Sequence, residues 1–252
     1  MLRLFRHIRQ RLFLEGKVSR YLGYAIGEIV LIVVGIMIAL EANEWKEERR
    51  ERVEERIVLG RMIEELEKAI RVISAEGLYY TIEQRKSLEE VSAAFRGKSV
   101  QKPFDFLSEV AMGATAGWGQ PDLPRTTYDE LTGSGKISLI RNVELRGKIA
   151  EYYDLVRSFE KRSALRVNDY AKLAYDLVPR KSENLDWHSE DQVKEGLSEE
   201  AYGSLAQAVL ESDLRQHVTA ALNRTLLMEA NWALIEKDAK KLIVEIEAEL
   251  AN

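Results

Sequence analysis

The feature that most constrains this chain is an apolar run near its N-terminus, from Tyr21 to Leu40, in which Glu28 is the one ionisable residue. A helix that rises roughly 1.5 Å per residue needs about 20 residues to cross the hydrocarbon core of a bilayer. A cleavable signal peptide has a shorter apolar core, of roughly 7–15 residues. The run therefore predicts an uncleaved transmembrane helix, which we place at residues 19–42.

Basic residues on the two sides of this run indicate its orientation. Their numbers are nearly equal, but Lys17 and Arg20 adjoin the run, whereas the first basic residue after it is Lys46. Basic residues close to a span favour the cytoplasmic side. We therefore predict a helix in the inner (cytoplasmic) membrane, with a cytoplasmic N-terminus and a large periplasmic or extracellular domain.

Residues 1–18 form a basic segment ahead of the predicted span. Its apolar residues recur at helical spacing, with arginines between them: Leu2, Phe5, Ile8 and Leu12. Such a segment is typical of an amphipathic helix that lies along the anionic inner surface of a membrane. A basic tail without helical structure is the alternative.

The predicted transmembrane helix has two different faces. At 100° per residue, one arc holds its small residues and its carboxyl group: Gly23, Gly27, Gly35, Ala39 and Glu28. The opposite arc is almost uniformly bulky and apolar. Small residues let helices approach closely in a bilayer, and a polar residue in a span faces a neighbouring helix or water rather than lipid. The pattern predicts a helix partner, either copies of the chain itself or another membrane protein.

Three roles are open for Glu28. Its carboxyl group could hold helices together by a hydrogen bond, line an ion or proton path in a ring of copies, or pair with a cation of another subunit. Tyr21 and Trp45 flank the span, where aromatic side chains anchor helices at the membrane interface.

The rest of the chain predicts an all-α fold. Residues 43–75 are rich in helix formers and predict a charged helical stalk that continues the span, with a seam of Leu59, Ile63, Leu66, Ile70 and Ile73. Residues 76–252 predict an external antiparallel helical bundle with helices near 78–95, 142–179, 198–212 and 213–250. Lys98–Arg141, which holds three of the four prolines, is predicted to be largely irregular, with a short helix before the turn at Gly133–Lys136.

Two stretches resemble a family of bacterial single-pass membrane proteins that is catalogued only as a domain of unknown function. The first is YAIGEIVLIVVGIMIALEANEWKEERRE, preceded by the basic FRHIRQRLFLEGKVSRYL. The second is TTYDELTGSGKISLIRNVELRGKIAEYYDLV, from Thr126 to Val156. The resemblance implies a location in the cell envelope and no established activity.

Composition and motifs argue against several other functions. The chain has no cysteine and its three histidines lie far apart, so thiolate chemistry is excluded and no metal motif is present. GSGK at Gly133–Lys136 is too short for a phosphate-binding loop. Residues 41–252 carry a net charge near −9, which disfavours nucleic acid. We expect no cofactor and no enzymatic activity.

Three functions follow from these patterns. The leading hypothesis is an oligomerising anchor with an external helical scaffold, or an accessory subunit of an envelope complex. The second is a homo-oligomeric channel lined by the Glu28 face. The third is a sensor that binds a small molecule within Lys98–Arg141 and relays the signal through a partner, because about twenty cytoplasmic residues leave no room for an output domain.

Overall fold

The computed structural model describes the backbone of residues 18–115, 121–164, 169–180 and 193–251, with side chains from residue 26 onward. The chain divides into two compact units, Met1–Glu55 and Arg56–Asn252. The basic segment predicted at residues 1–18 lies outside the described residues except for Val18. The side chain of Tyr21 and the surroundings of Gly23 lie outside them as well.

All regular elements of the described residues are helices, which confirms the all-α prediction. They are α1 (Val18–Val72), a π-helical segment (Ile73–Leu78), α2 (Tyr79–Phe95), α3 (Pro103–Gly113), α4 (Thr126–Gly133), a 3-10 helix (Lys136–Leu139), α5 (Val143–Ala164), α6 (Asp169–Leu177), α7 (Glu199–Glu211) and α8 (Leu214–Ala251).

Local sequence signals set several of these boundaries. Gly97 adopts a φ of +102° just past the end of α2, and its N–H donates to the Ala94 carbonyl, as at a glycine C-cap. The Asn142 side chain accepts the Leu145 N–H at 3.1 Å and caps α5. The predicted turn after α4 is also confirmed, because Gly135 there has a φ of +72°.

The second unit has two hydrophobic cores that share α8. The first core joins α1, α4, α5 and the C-terminal part of α8; the second joins α2, α3, α6, α7 and the N-terminal part of α8. Successive contacts run in opposite directions along α1–α2 and α8, from Arg56–Leu250 through Ser74–Glu236 to Arg85–Glu229. The bundle is therefore antiparallel in this part.

The bundle begins earlier in the chain than the predicted boundary at residue 76. Residues from Arg56 onward belong to the second unit. The helix α1 contributes a buried seam of Leu59, Met62, Leu66 and Ala69, which Ile73 of the π-helical segment continues. The predicted register was wrong at two positions, because Ile63 and Ile70 are only partly buried beside the core. Ala69, which was not part of the predicted seam, is buried instead of its neighbour Ile70.

The prediction that Lys98–Arg141 is largely irregular was wrong. Pro103 stands at the first position of α3, where its missing N–H costs no hydrogen bond. The helix then buries Phe106, Leu107 and Val110 in the second core. Pro103 thus marks the start of a helix, whereas Pro121 and Pro124 lie in the non-helical residues before α4. The predicted helix 142–179 is described as α5 and α6, and residues 165–168 lie outside the described part.

A glycine allows the π-helical segment to receive a tryptophan. A Cβ on Gly77 would stand 3.1 Å from the indole ring of Trp232 on α8. Trp232 is 1% exposed and also packs edge-on against Phe159 of α5, with ring centroids 4.6 Å apart. The indole therefore joins the π-helical segment, α5 and α8 in one contact.

Truncation of the α1 seam should destabilise the second unit. Leu66 is 1% exposed, so Leu66→Ala removes buried methyl groups and leaves a cavity, at a cost of about 2–5 kcal/mol in the free energy of unfolding. The control is Leu234→Ala, because Leu234 is 43% exposed on α8. Urea titrations of the full chain in detergent, followed by circular dichroism, measure both. Equal losses in the two variants would contradict the buried seam.

Candidate functional site

The first unit presents a long apolar surface. From Ile26 to Leu40 every side chain is exposed, with exposed fractions of the large apolar residues between 44% at Val34 and 74% at Leu31. Within the described residues one helix is long and apolar enough to cross a membrane, and none of its most apolar window is buried. Contiguous apolar surface of this kind is typical of a membrane or protein contact.

The face predicted to pack against another helix is open within this chain. No atom lies within 4 Å of the position that a Cβ would occupy on Gly27 or Gly35. Glu28 and Ala39 are exposed on the same helix. Trp45, the predicted interfacial anchor, is 65% exposed and has the Arg49 guanidinium 5.8 Å from its ring centroid. Within the described part of the first unit, no helix packs against this face.

In the second unit a carboxylate joins three helices. Glu65 of α1 accepts the backbone N–H of Thr127 at 2.8 Å and the Tyr153 hydroxyl at 2.8 Å. The residue that precedes α4, Arg125, offers no side-chain cap, so Glu65 provides the acceptor that this helix start requires. Sequence reasoning missed Glu65, because a cap donated from a distant helix leaves no local pattern.

Tyrosines complete this junction. The Tyr128 and Tyr153 rings stack with centroids 4.2 Å apart, and Tyr152 meets Tyr153 edge-on at 5.1 Å. Tyr152 and Tyr153 are buried and pack across the bundle, whereas Tyr79 is 56% exposed. The segment Thr126–Val156 thus holds helices together through these tyrosines and the Glu65 carboxylate.

Among the described residues, the second unit contains clefts large enough for water or a small molecule. The cleft between α5 and α8 has about 150 Å³ and is bordered by Tyr152 and Asp238. The Tyr152 hydroxyl is buried there and has no hydrogen-bond partner among the described residues. The cleft between α2 and α3 has about 550 Å³, and it includes part of the region where a ligand site was predicted.

The described residues offer no constellation for a metal ion. No group of three or more histidine, aspartate or glutamate side chains in this part is placed to hold a metal ion. His217 lies partly exposed on α8, and His7 and His188 lie outside the described residues. Gly133–Lys136 is a turn that leads from α4 to the 3-10 helix.

Comparison with known proteins adds no further information. No protein-family model matches this chain, and searches of curated proteins and of solved structures also gave no match. The resemblance to the single-pass membrane family therefore stays a prediction.

The buried tyrosines predict a loss of stability at alkaline pH. Burial raises the pKa of Tyr152, Tyr153 and Tyr170 above the ordinary 10.0. The unfolded chain releases these protons near pH 10 and the folded chain keeps them. The free energy of unfolding should therefore fall above pH 10, by about 1.4 kcal/mol per pH unit for each tyrosine.

Urea titrations between pH 9 and pH 12 measure how the free energy of unfolding falls with pH. Tyr153→Phe should make this slope shallower by about 1.4 kcal/mol per pH unit, the contribution of one tyrosine. A tyrosinate absorbance titration in the native state provides the second readout. Ionisation of all ten tyrosines near pH 10, with the helical signal retained, would contradict the prediction.

Proposed function

We propose that this chain is a non-enzymatic single-pass membrane protein. Its apolar helix anchors it in the inner membrane and assembles it with a helix partner. Its helical bundle acts outside the cytoplasm as a scaffold or as an accessory subunit of an envelope complex. The observation that carries the proposal is the uncovered apolar surface from Ile26 to Leu40.

The energy of this surface supports a membrane location. Burial of a fully exposed Val, Leu, Ile or Met side chain is worth about 1.5–3 kcal/mol. Eleven such residues between Ile26 and Leu40 are 44–74% exposed, so leaving them in water costs on the order of 10 kcal/mol. That cost is comparable with the whole stability of a typical domain. A bilayer removes it without any further protein.

Glu28 and the glycines support a helix partner in that bilayer. A carboxyl group that faces lipid alone costs about 2.5–3.5 kcal/mol near the centre of a span. A second helix against the same face supplies a hydrogen bond, and Gly27 and Gly35 let its backbone come close. Lipid covers the bulky opposite face as well as a partner helix would. Association through the glycine face is therefore favoured over association through the bulky face.

The glycine face predicts a specific effect on assembly. Gly27→Leu and Gly35→Leu should each shift the complex toward single chains, because the new side chains hold the partner helix away. Val33→Leu is the matched control, since it adds volume on the opposite face and should leave assembly unchanged. Native mass spectrometry of gently extracted complexes measures the outcome.

The wild-type mass also separates the two kinds of partner. An integer multiple of 28.9 kDa supports self-assembly, and a mass that requires a different polypeptide supports an accessory subunit. A wild-type protein that is entirely a single chain in the native membrane, or unchanged assembly in both glycine variants, would contradict the proposed partner.

The absence of cysteine makes the orientation directly testable. Glu247→Cys introduces a single thiol on an exposed position of α8. A membrane-impermeant maleimide should label it in intact spheroplasts. A thiol introduced at Gln10 should react only after the membrane is broken. The reverse labelling pattern would show that the bundle lies in the cytoplasm.

A further inference from the structure

The cleft between α2 and α3 has the size and lining of a small-molecule site. Its volume of about 550 Å³ falls within the 300–1,000 Å³ of typical ligand pockets. Its walls are the last turns of α2, the connection at residues 98–102 and the first turns of α3. The Gly97 C-cap and Pro103 at the start of α3 define the two ends of that connection.

Part of the lining is apolar. Ala94, Val100 and Phe106 border the cleft. Phe106 is 7% exposed and belongs to the second core, whereas Ala94 and Val100 are partly buried and pack against that core. The apolar wall is therefore held by the bundle and does not depend on a ligand for its position.

The two lysines of the cleft already have partners. Lys98 pairs with Glu90, and Lys102 approaches Asp105 at 3.6 Å. Each pair lies at the border of the cleft and is formally neutral. An anionic ligand would therefore meet each lysine beside a carboxylate that already offsets its charge.

Glu109 is the remaining charged residue of the lining. Its carboxylate accepts no hydrogen bond and forms no ion pair with any residue that the structure describes. The nearby hydroxyl of Tyr170 is unavailable, because it donates to the Val110 carbonyl at 3.1 Å. With both lysines paired, the lining carries one negative charge that no described residue compensates, beside an apolar wall.

We propose that the α2–α3 cleft binds a small amphipathic cation, with its ammonium group at Glu109 and its apolar body against Val100 and Phe106. An ammonium group supplies the N–H donors and the positive charge that this carboxylate lacks. The apolar body of the ligand contacts the apolar wall of the cleft, which the ion pairs do not cover. This site is independent of the membrane anchor, since the residues named all belong to the second unit.

The test uses phenethylammonium as the probe and the full chain in detergent micelles. Calorimetric titration, corrected for heats from empty micelles, should show saturable binding to the wild-type protein. Glu109→Gln should weaken the affinity about tenfold, because it removes a charge-assisted contact. The matched control is Glu247→Gln, an exposed charge on α8 outside the cleft, which should bind like the wild type.

Two further measurements separate the charge from the apolar contact. The carboxylate analogue 3-phenylpropanoate should not bind, and Val100→Ser should weaken phenethylammonium without loss of the helical signal. Absence of saturable binding would overturn the proposal. So would equal affinity in Glu109→Gln and the wild type, or binding of the carboxylate analogue as tightly as the amine. If Glu109→Gln does not fold, Val100→Ser and the analogue decide the outcome.

Discussion

The second unit depends on one buried stripe along α8. The stripe alternates four and three residues apart, through Leu214, Val218, Ala221, Thr225, Met228, Trp232, Ile235, Ala239, Leu242 and Ile246. Both hydrophobic cores pack against it, one on each part of the helix. Such a 3.5-residue spacing keeps one face of a helix toward its neighbours over its full length. The other helices are positioned by the buried apolar side chains that they pack against this stripe.

Polar contacts determine how the helices meet along that stripe. Where the two cores join, Gln84 donates to the Gly113 carbonyl at 3.1 Å and accepts from the Thr225 hydroxyl at 3.3 Å. At the far side of the first core, Glu65 ties α1 to α4 and α5. Buried polar groups need such partners, and a change of helix register would break them. The hydrophobic stripe supplies the driving force, and these contacts select one arrangement.

The two units have opposite relations to water. The described part of the second unit forms two hydrophobic cores of its own, whereas the first unit leaves the apolar side chains of Ile26–Leu40 exposed. A single chain therefore combines a domain with its own hydrophobic cores and a helix whose apolar side chains have no core to enter. This contrast is the physical basis for the proposed anchor, and the α2–α3 cleft is a separate feature of the self-contained unit.

The sequence by itself determined the features that depend on near neighbours along the chain. Helical periodicity predicted the all-α fold, and the run from Tyr21 to Leu40 predicted a helix long and apolar enough to cross a membrane. Only the tertiary structure decided which residues meet across the bundle. It selected Met62 and Ala69 over Ile63 and Ile70 for the buried seam, because close packing of helices favours shape over hydrophobicity alone.

The same reason explains the other differences. The helix α3 forms because Phe106, Leu107 and Val110 find a core to enter, which a proline-rich stretch does not reveal. Glu65 caps α4 across 62 residues of sequence, and Gly77 accepts Trp232 from a helix more than 150 residues away. The carboxylate of Glu109 is significant only because the folding of α2 and α3 places it beside a cleft. Contacts between distant residues carry no local signal, so the structure alone assigns them.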